Sequence, residues 1–269
     1  MIDFHNHVLP GVDDGPQKIE ESIKMLKTAK NQGITDIVQT VHFQHPKMIN
    51  KNVDYTFLKN EIKKLQNKID DKNINIRIHL AAEVFYLPNL TEIIDNPLVT
   101  VANRKYMLIE FASNIYPTGY EEEFYKLQNL GITPIVAHPE RYVFVKKNIK
   151  ILETWIRRGY LIQLDAGSIL GGFGSKTRDF TFEIVKNGYF HIIGSDAHNS
   201  RNRNFCINDA YNFLKVNYSN KLVDNLKSNV NNLMEGKKVN NINFYKNENN
   251  KKNKINIVKQ KLLKLIKSL

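Results

Sequence analysis

Residues 131–138 read GITPIVAH, a turn glycine followed by a run that is apolar but for Thr133 and ends on a histidine. A strand with one wet face alternates apolar and polar side chains. A near-continuous apolar run instead suits a strand covered on both faces, as in parallel sheets flanked by helices. The neighbouring sequence supplies those helices. A helical segment around Glu121 to Leu130 precedes the run. Another from Ile149 to Arg158 follows it and stops at Gly159, after which YLIQLDAG (160–167) repeats the strand pattern.

The alternation continues in both directions. Residues 2–8 read as a strand, and Gln17 to Gln32 as a helix with Ile19, Ile23 and Leu26 on one face, stopped by Gly33. ITDIVQTVH (34–42) is a second strand. A helix over Asp54 to Asp70 carries Leu58, Ile62, Leu65 and Ile69 on one face, and INIRIHLAAE (74–83) is a third strand. YMLIEF (106–111) and YFHIIGSDAH (189–198) complete the set, the latter preceded by a helix over Arg178 to Lys186 that stops at Asn187-Gly188. Seven strands separated by helices or helical loops predict an α/β protein with parallel pairing. A closed or nearly closed β/α barrel, TIM-like, is the natural architecture.

At 269 residues, one large domain suffices. A hydrophobic content of 42% with 25% charged residues is ordinary for a globular chain. No apolar run approaches the roughly 18 residues of a membrane span, and the N-terminus has no basic segment leading into an apolar one, so a cytoplasmic location is expected. The single cysteine, Cys206, excludes an internal disulfide framework. Much of the net charge of +12 lies in the last thirty residues. The barrel is therefore expected over 1–239 and a Lys/Asn-rich tail over 240–269. In that tail, Asn240 to Asn253 reads as a solvated linker. Ile255, Val258, Leu262, Leu265 and Ile266 would line one side of a short basic helix, suited to a partner, an acidic protein or an anionic membrane surface. No stripe of interleaved aromatic and basic residues is present, and nucleic acid is not expected.

The N-terminus reads MIDFHNHVLPGVDDGP (1–16). In a strand His5 and His7 share a face, which is a chelating geometry, although one His-x-His alone is equally compatible with a solvent-facing histidine and an acidic helix cap. The barrel changes the weighting, because chemistry gathers at the carboxyl ends of its strands. Strand one ends near His5 and His7, strand two at His42, strand three at Glu83, strand four at Glu110 and strand five at His138. Strand seven ends at Asp196 and His198, while Asp14 lies on the first loop. Mixed imidazoles and carboxylates suit Mn, Fe or Zn better than Ca or Mg alone. The set exceeds what one ion needs, and two or three ions about 3.5 to 4 Å apart are a device for displacement at phosphorus. His45, His79 and His191 miss the strand ends and are left without a role.

Taken together, DFHNH, VDDGP, TVH, AAE, IEF, AHPER and SDAHN resemble the polymerase and histidinol phosphatase (PHP) superfamily. Within it they are most similar to the CpsB/CapC-type bacterial protein-tyrosine phosphatases of capsule and exopolysaccharide loci. The resemblance runs from Met1 to about Leu233. It implies a distorted (β/α)7 barrel, the PHP fold, holding three divalent cations, usually manganese, with iron, zinc or magnesium as alternatives. His5, His7, Glu83 and Asp196 would hold one. Glu83 would bridge to a second, held by Glu110 and His138, and Asp14, His42 and His198 would hold the third. Arg141 of AHPER and Arg203 would clamp phosphate, a role suited to the forked guanidinium, whereas Arg201 matches no family position and reads as surface. Phe43 departs from the family, which often has a polar residue after the strand-two histidine. It could offer an aromatic wall to a phosphotyrosine ring.

The implied reaction is in-line hydrolysis of phosphotyrosine on a tyrosine-phosphorylated protein, chiefly a cognate bacterial tyrosine autokinase governing polysaccharide synthesis. Cysteine-dependent phosphatase chemistry is set aside, because the residue six after Cys206 is Asn212 rather than arginine. The rivals are another PHP phosphoesterase such as a histidinol-phosphate phosphatase, a PHP nuclease, and a non-catalytic regulator docking through the tail.

Overall fold

The computed structural model describes residues 1–48 and 53–242; the expected basic helix over 255–269 lies outside the described residues. The chain runs β1 (Ile2–Asn6), α1 (Ile19–Asn31), β2 (Asp36–Phe43), α2 (Tyr55–Asp70), β3 (Arg77–Phe85), β4 (Tyr106–Glu110), α3 (Tyr120–Asn129) and β5 (Thr133–Ala137). A single 3-10 turn over Pro139–Arg141 leads to α4 (Val143–Lys147), α5 (Lys150–Arg157), β6 (Leu161–Asp165), α6 (Ala166–Leu170) and α7 (Ser175–Asn187). Then come β7 (Ile192–Gly194), α8 (Ile207–Asn217) and α9 (Asn220–Met234). Local chemistry sets several of these limits. Asp54 accepts the Phe57 N–H at the start of α2, Ser219 accepts the Leu222 N–H at the start of α9, and Gly188 ends α7 in the left-handed region.

All seven strands pair in parallel and in sequence order. The ring closes where Asn6 bridges to Ala197, with His7 N–H donating to Ala197 O (2.8 Å) and Asp196 N–H donating to His5 O (2.8 Å). This seam is irregular, and buried polar side chains complete its hydrogen bonding. Asp3 Oδ1 accepts the N–H groups of His5 and Ser195, and Gln39 Oε1 accepts those of Val8 and Leu9.

Strand alternation divides the apolar residues into two cores. Phe4, Val38, Ala81, Leu108, Ile135, Ala137, Leu161 and Ile192 fill the barrel, with Val230 and Leu233 of α9 packed against the same cluster. Ile37, Val41, Val84, Met107, Ile109, Val136, Ile162 and Ile193 belong to the outer core beneath the helices. Phe43 is buried in that outer core, on the opposite face from His42, so the suggested aromatic wall for the substrate is corrected. The start of the expected linker is also packed. Asn229 bonds both the N–H and the C=O of Asn240, His191 bonds Asn241, and Ile242 is buried. No helix among the described residues is long and apolar enough to cross a membrane.

Candidate active site

The residues expected at the strand ends do meet there. Their potential ligand atoms form three clusters: His5, His7, Glu83 and Asp196; His7, Asp14, His42 and His198; and His42, Glu83 and Glu110. His138 adjoins the last, its Nε2 lying 2.8 Å from Glu83 Oε1 and 3.8 Å from Glu110 Oε1. The grouping differs from the one the resemblance implies, because His42 uses both ring nitrogens. Nε2 is 3.3 Å from Asp14 and Nδ1 is 3.2 Å from Glu83, so His42 spans two clusters.

The first cluster has the dimensions of a cation site. Gln163 Oε1 lies 2.8 Å from His5 Nδ1 and Asp13 Oδ2 lies 3.0 Å from His7 Nδ1, which places the proton of each neutral ring on Nδ1. The two Nε2 lone pairs then face each other at 3.3 Å. Each also lies 3.3 to 3.5 Å from Glu83 Oε2 and 3.4 Å from Asp196 Oδ1. Four atoms bearing lone pairs repel one another unless a cation sits among them. Ligands about 2.1 Å from a tetrahedral ion stand about 3.4 Å apart, which matches these separations. Glu83 Oε2 and Glu110 Oε2 are buried without a hydrogen-bond donor among the described residues, as ligand oxygens would be.

Electrostatics points the same way. Burial alone would raise Glu83, yet His5 and His42, when protonated, hold it well below the carboxylate range, a charge that a bound cation would supply once the rings are neutral. Asp196 is likewise held far down against its burial, by Arg141, His198 and His5. Glu110, buried beside ionised Glu83, is pushed up to about 8. Burial and the nearby Arg141 cation push His138 down to about 4. A centre in which one acid resists ionisation because another is already charged gains from added positive charge.

Arg141, in the turn after β5, and Arg203, in the loop after β7, converge on one oxygen. Their Nη2 atoms lie 2.7 and 2.8 Å from Asp196 Oδ2, while Arg141 also pairs with Asp165 at the end of β6. Phe173 covers both guanidinium groups, its ring centroid 4.0 Å from Arg141 Cζ and 5.8 Å from Arg203 Cζ. The Nε–H groups of both arginines are buried and without a hydrogen-bond acceptor among the described residues. Arg201 is exposed.

Several contributors were not picked out in the sequence. Asp13 stood beside Asp14 in the quoted N-terminus, and Gln163 was a polar residue inside an apolar strand. Asp165 ends strand six, where the rule applied to the other strands would have found it. His45 lies in the loop after His42, with its ring tilted against that of His42 at a centroid distance of 5.0 Å. Gly15 is fixed by space, since a Cβ there would lie 2.4 Å from His7 O. His79 and His191 are structural: one pairs with Asp36, and the other joins Ile162 to Asn241.

Comparison with known proteins gives a consistent answer. The family described as capsular polysaccharide synthesis, CpsB/CapC, matches residues 1–235. CapC of Staphylococcus aureus is 36% identical over 230 residues, covering 85% of this chain and 89% of its own. The tyrosine-protein phosphatase YwqE of Bacillus subtilis is 31% identical over 223 residues, covering 82% and 87%. A solved structure described under YwqE from Bacillus subtilis and CpsB from Streptococcus pneumoniae, unique metal-dependent tyrosine phosphatases, superposes with a TM-score of 0.85 at 29% identity. It covers 90% of this chain and 97% of that one.

Proposed function

Because the chain belongs to the CpsB/CapC family, we propose that it is a metal-dependent protein-tyrosine phosphatase hydrolysing phosphotyrosine esters. The observation that carries this is the division of labour at Asp196. Oδ1 faces the His5–His7–Glu83 cluster, and Oδ2 anchors Arg141 and Arg203. A phosphate gripped by the arginines is thereby held against the metal cluster.

His5, His7, Asp14, His42, Glu83, Glu110, His138, Asp196 and His198 are the proposed ligands. Three divalent cations, manganese foremost, suit their mixed nitrogen and oxygen donors, with iron, zinc or magnesium as substitutes. Bound cations supply the charge that makes water nucleophilic near neutral pH and offset the charge gathering on phosphorus. Arg141 and Arg203 bind the non-bridging oxygens and orient phosphorus for in-line displacement, and Phe173 keeps the two guanidinium groups together. Tyrosine, with a pKa of about 10, leaves as phenolate if its charge is met. Cys206 plays no part, since burial pushes its thiol up to about 12. The proposed substrate is a tyrosine-phosphorylated protein, specifically a cognate tyrosine autokinase of a capsule or exopolysaccharide system, in keeping with the family description.

The test is turnover of a phosphotyrosyl peptide, histidinol phosphate and an oligonucleotide by purified protein, before chelation, after it, and after restoring each metal. Peptide hydrolysis should dominate, vanish on chelation and return best with manganese. Preference for histidinol phosphate or undiminished activity without metal would overturn the proposal.

A further inference from the structure

His45 stands on the rim of the proposed metal centre without belonging to any ligand cluster. Its loop is pinned by Gln44, whose Nε2 donates to Phe85 O (2.9 Å) at the end of β3 and to Asn89 Oδ1 (3.1 Å) in the segment beyond it. The ring is held by a tilted contact with the His42 ring, centroids 5.0 Å apart, and by an edge contact with Phe85 at 4.9 Å, and the side chain keeps 16% of its surface open. The Lys47 backbone N–H points at His45 Nδ1, 3.2 Å away. A backbone N–H can only donate, so Nδ1 is the acceptor and the ring hydrogen sits on Nε2. That Nε2–H faces the centre, 3.9 Å from Glu110 Oε2, beyond direct hydrogen-bond reach. It is a neutral, oriented donor at the mouth of the site. Around the ring of strands its loop follows β2, whereas Arg141 and Arg203 follow β5 and β7.

We propose that His45 is a catalytic residue whose Nε2–H donates a hydrogen bond to the phenolic oxygen of phosphotyrosine as it departs. This rests on the phosphatase function proposed above. The bond from phosphorus to the aryl oxygen breaks with its electron pair passing to that oxygen. An oxygen derived from water forms the new bond to phosphorus. The imidazole keeps its hydrogen throughout, and the phenolate takes its proton from solvent.

The test uses the full-length protein loaded with manganese. His45→Phe retains an aromatic ring against His42 and Phe85 but lacks the donor, and His45→Gln restores an N–H. Removing one donor to a developing oxyanion lowers kcat by about 10²-fold. That loss is expected for His45→Phe on a phosphotyrosyl peptide, with most of it recovered by His45→Gln. The deficit should shrink on 4-nitrophenyl phosphate, whose more acidic phenol needs less help to leave. Two readouts are independent of turnover. Metal content per chain should match the parent, and so should affinity for a peptide bearing phosphonomethyl-phenylalanine, which has CH2 in place of the ester oxygen. Equal losses on both leaving groups, loss of bound metal, or weakened phosphonate binding would each overturn the assignment to the leaving oxygen. A parent protein inactive on phosphotyrosine with every metal would instead sink the phosphatase function itself.

Discussion

Gln163 Oε1 meets His5 Nδ1 at 2.8 Å inside the barrel, and this contact decides which nitrogen of His5 faces the proposed metal centre. The amide is itself held by donation from its Nε2 to Leu164 O at 2.9 Å, so its oxygen is the atom presented to the ring. Asp13 does the same for His7.

Partners of this kind are worth about 10- to 100-fold in metal affinity. Gln163→Leu and Asp13→Asn should therefore each weaken metal binding by roughly that factor. Competition with a chelator measures it. Parent-like affinity in both variants would show that the rings need no such support.

The arginine pair should act on substrate rather than on metal. Arg203→Lys keeps a charge to balance Asp196 but loses the planar fork, and should lower kcat/KM on phosphopeptide by about 10-fold or more while metal content stays unchanged. Arg141, paired with both Asp165 and Asp196, should be less tolerant of the same change, because a lysine ammonium lacks the planar fork with which the guanidinium meets two buried carboxylates at once. Elemental analysis alongside steady-state kinetics separates the two effects. Metal loss from Arg203→Lys would contradict this division.

His191 supplies a pH signature of folding away from the centre. It accepts the Ile162 N–H on Nδ1 and bonds Asn241 through Nε2. Burial pushes it down to about 4 from an ordinary value of 6.5, with Asn241 opposing the shift. Between those values the unfolded chain holds a proton that the folded chain refuses. The stability from neutral His191 is thus complete above pH 6.5 and is lost as pH falls toward 4. Over that interval the parent should lose about 3 kcal/mol more than His191→Gln in urea unfolding of chelated protein. Equal losses would refute it.

The sequence declared the barrel because patterns such as GITPIVAH admit few other solutions, and it placed the polar residues at strand ends because alternation leaves them nowhere else to point. The same alternation, carried one residue further, puts Phe43 under the helices instead of in the site. Gln163 escapes notice because its importance depends on a distant residue, His5, that only the closed ring brings within reach, whereas Asp165 ends a strand and falls under the same rule as the proposed ligands. Phe173 and His45 sit on loops, where no period dictates direction. The double use of His42 depends on ring orientation, which spacing does not encode.

The bridge between Asn6 and Ala197 joins the end of β1 to the segment just after β7, nearly two hundred residues later, and the proposed ligands lie on both sides of it. During synthesis, His5 and His7 must wait for Asp196 and His198, so a ribosome-bound fragment lacks two of the nine proposed ligands. Pairing of such long range is slow to form, and the proposed ligand set is complete only when the last strand has docked. On the proposed function, catalytic competence thereby becomes a readout of completed folding.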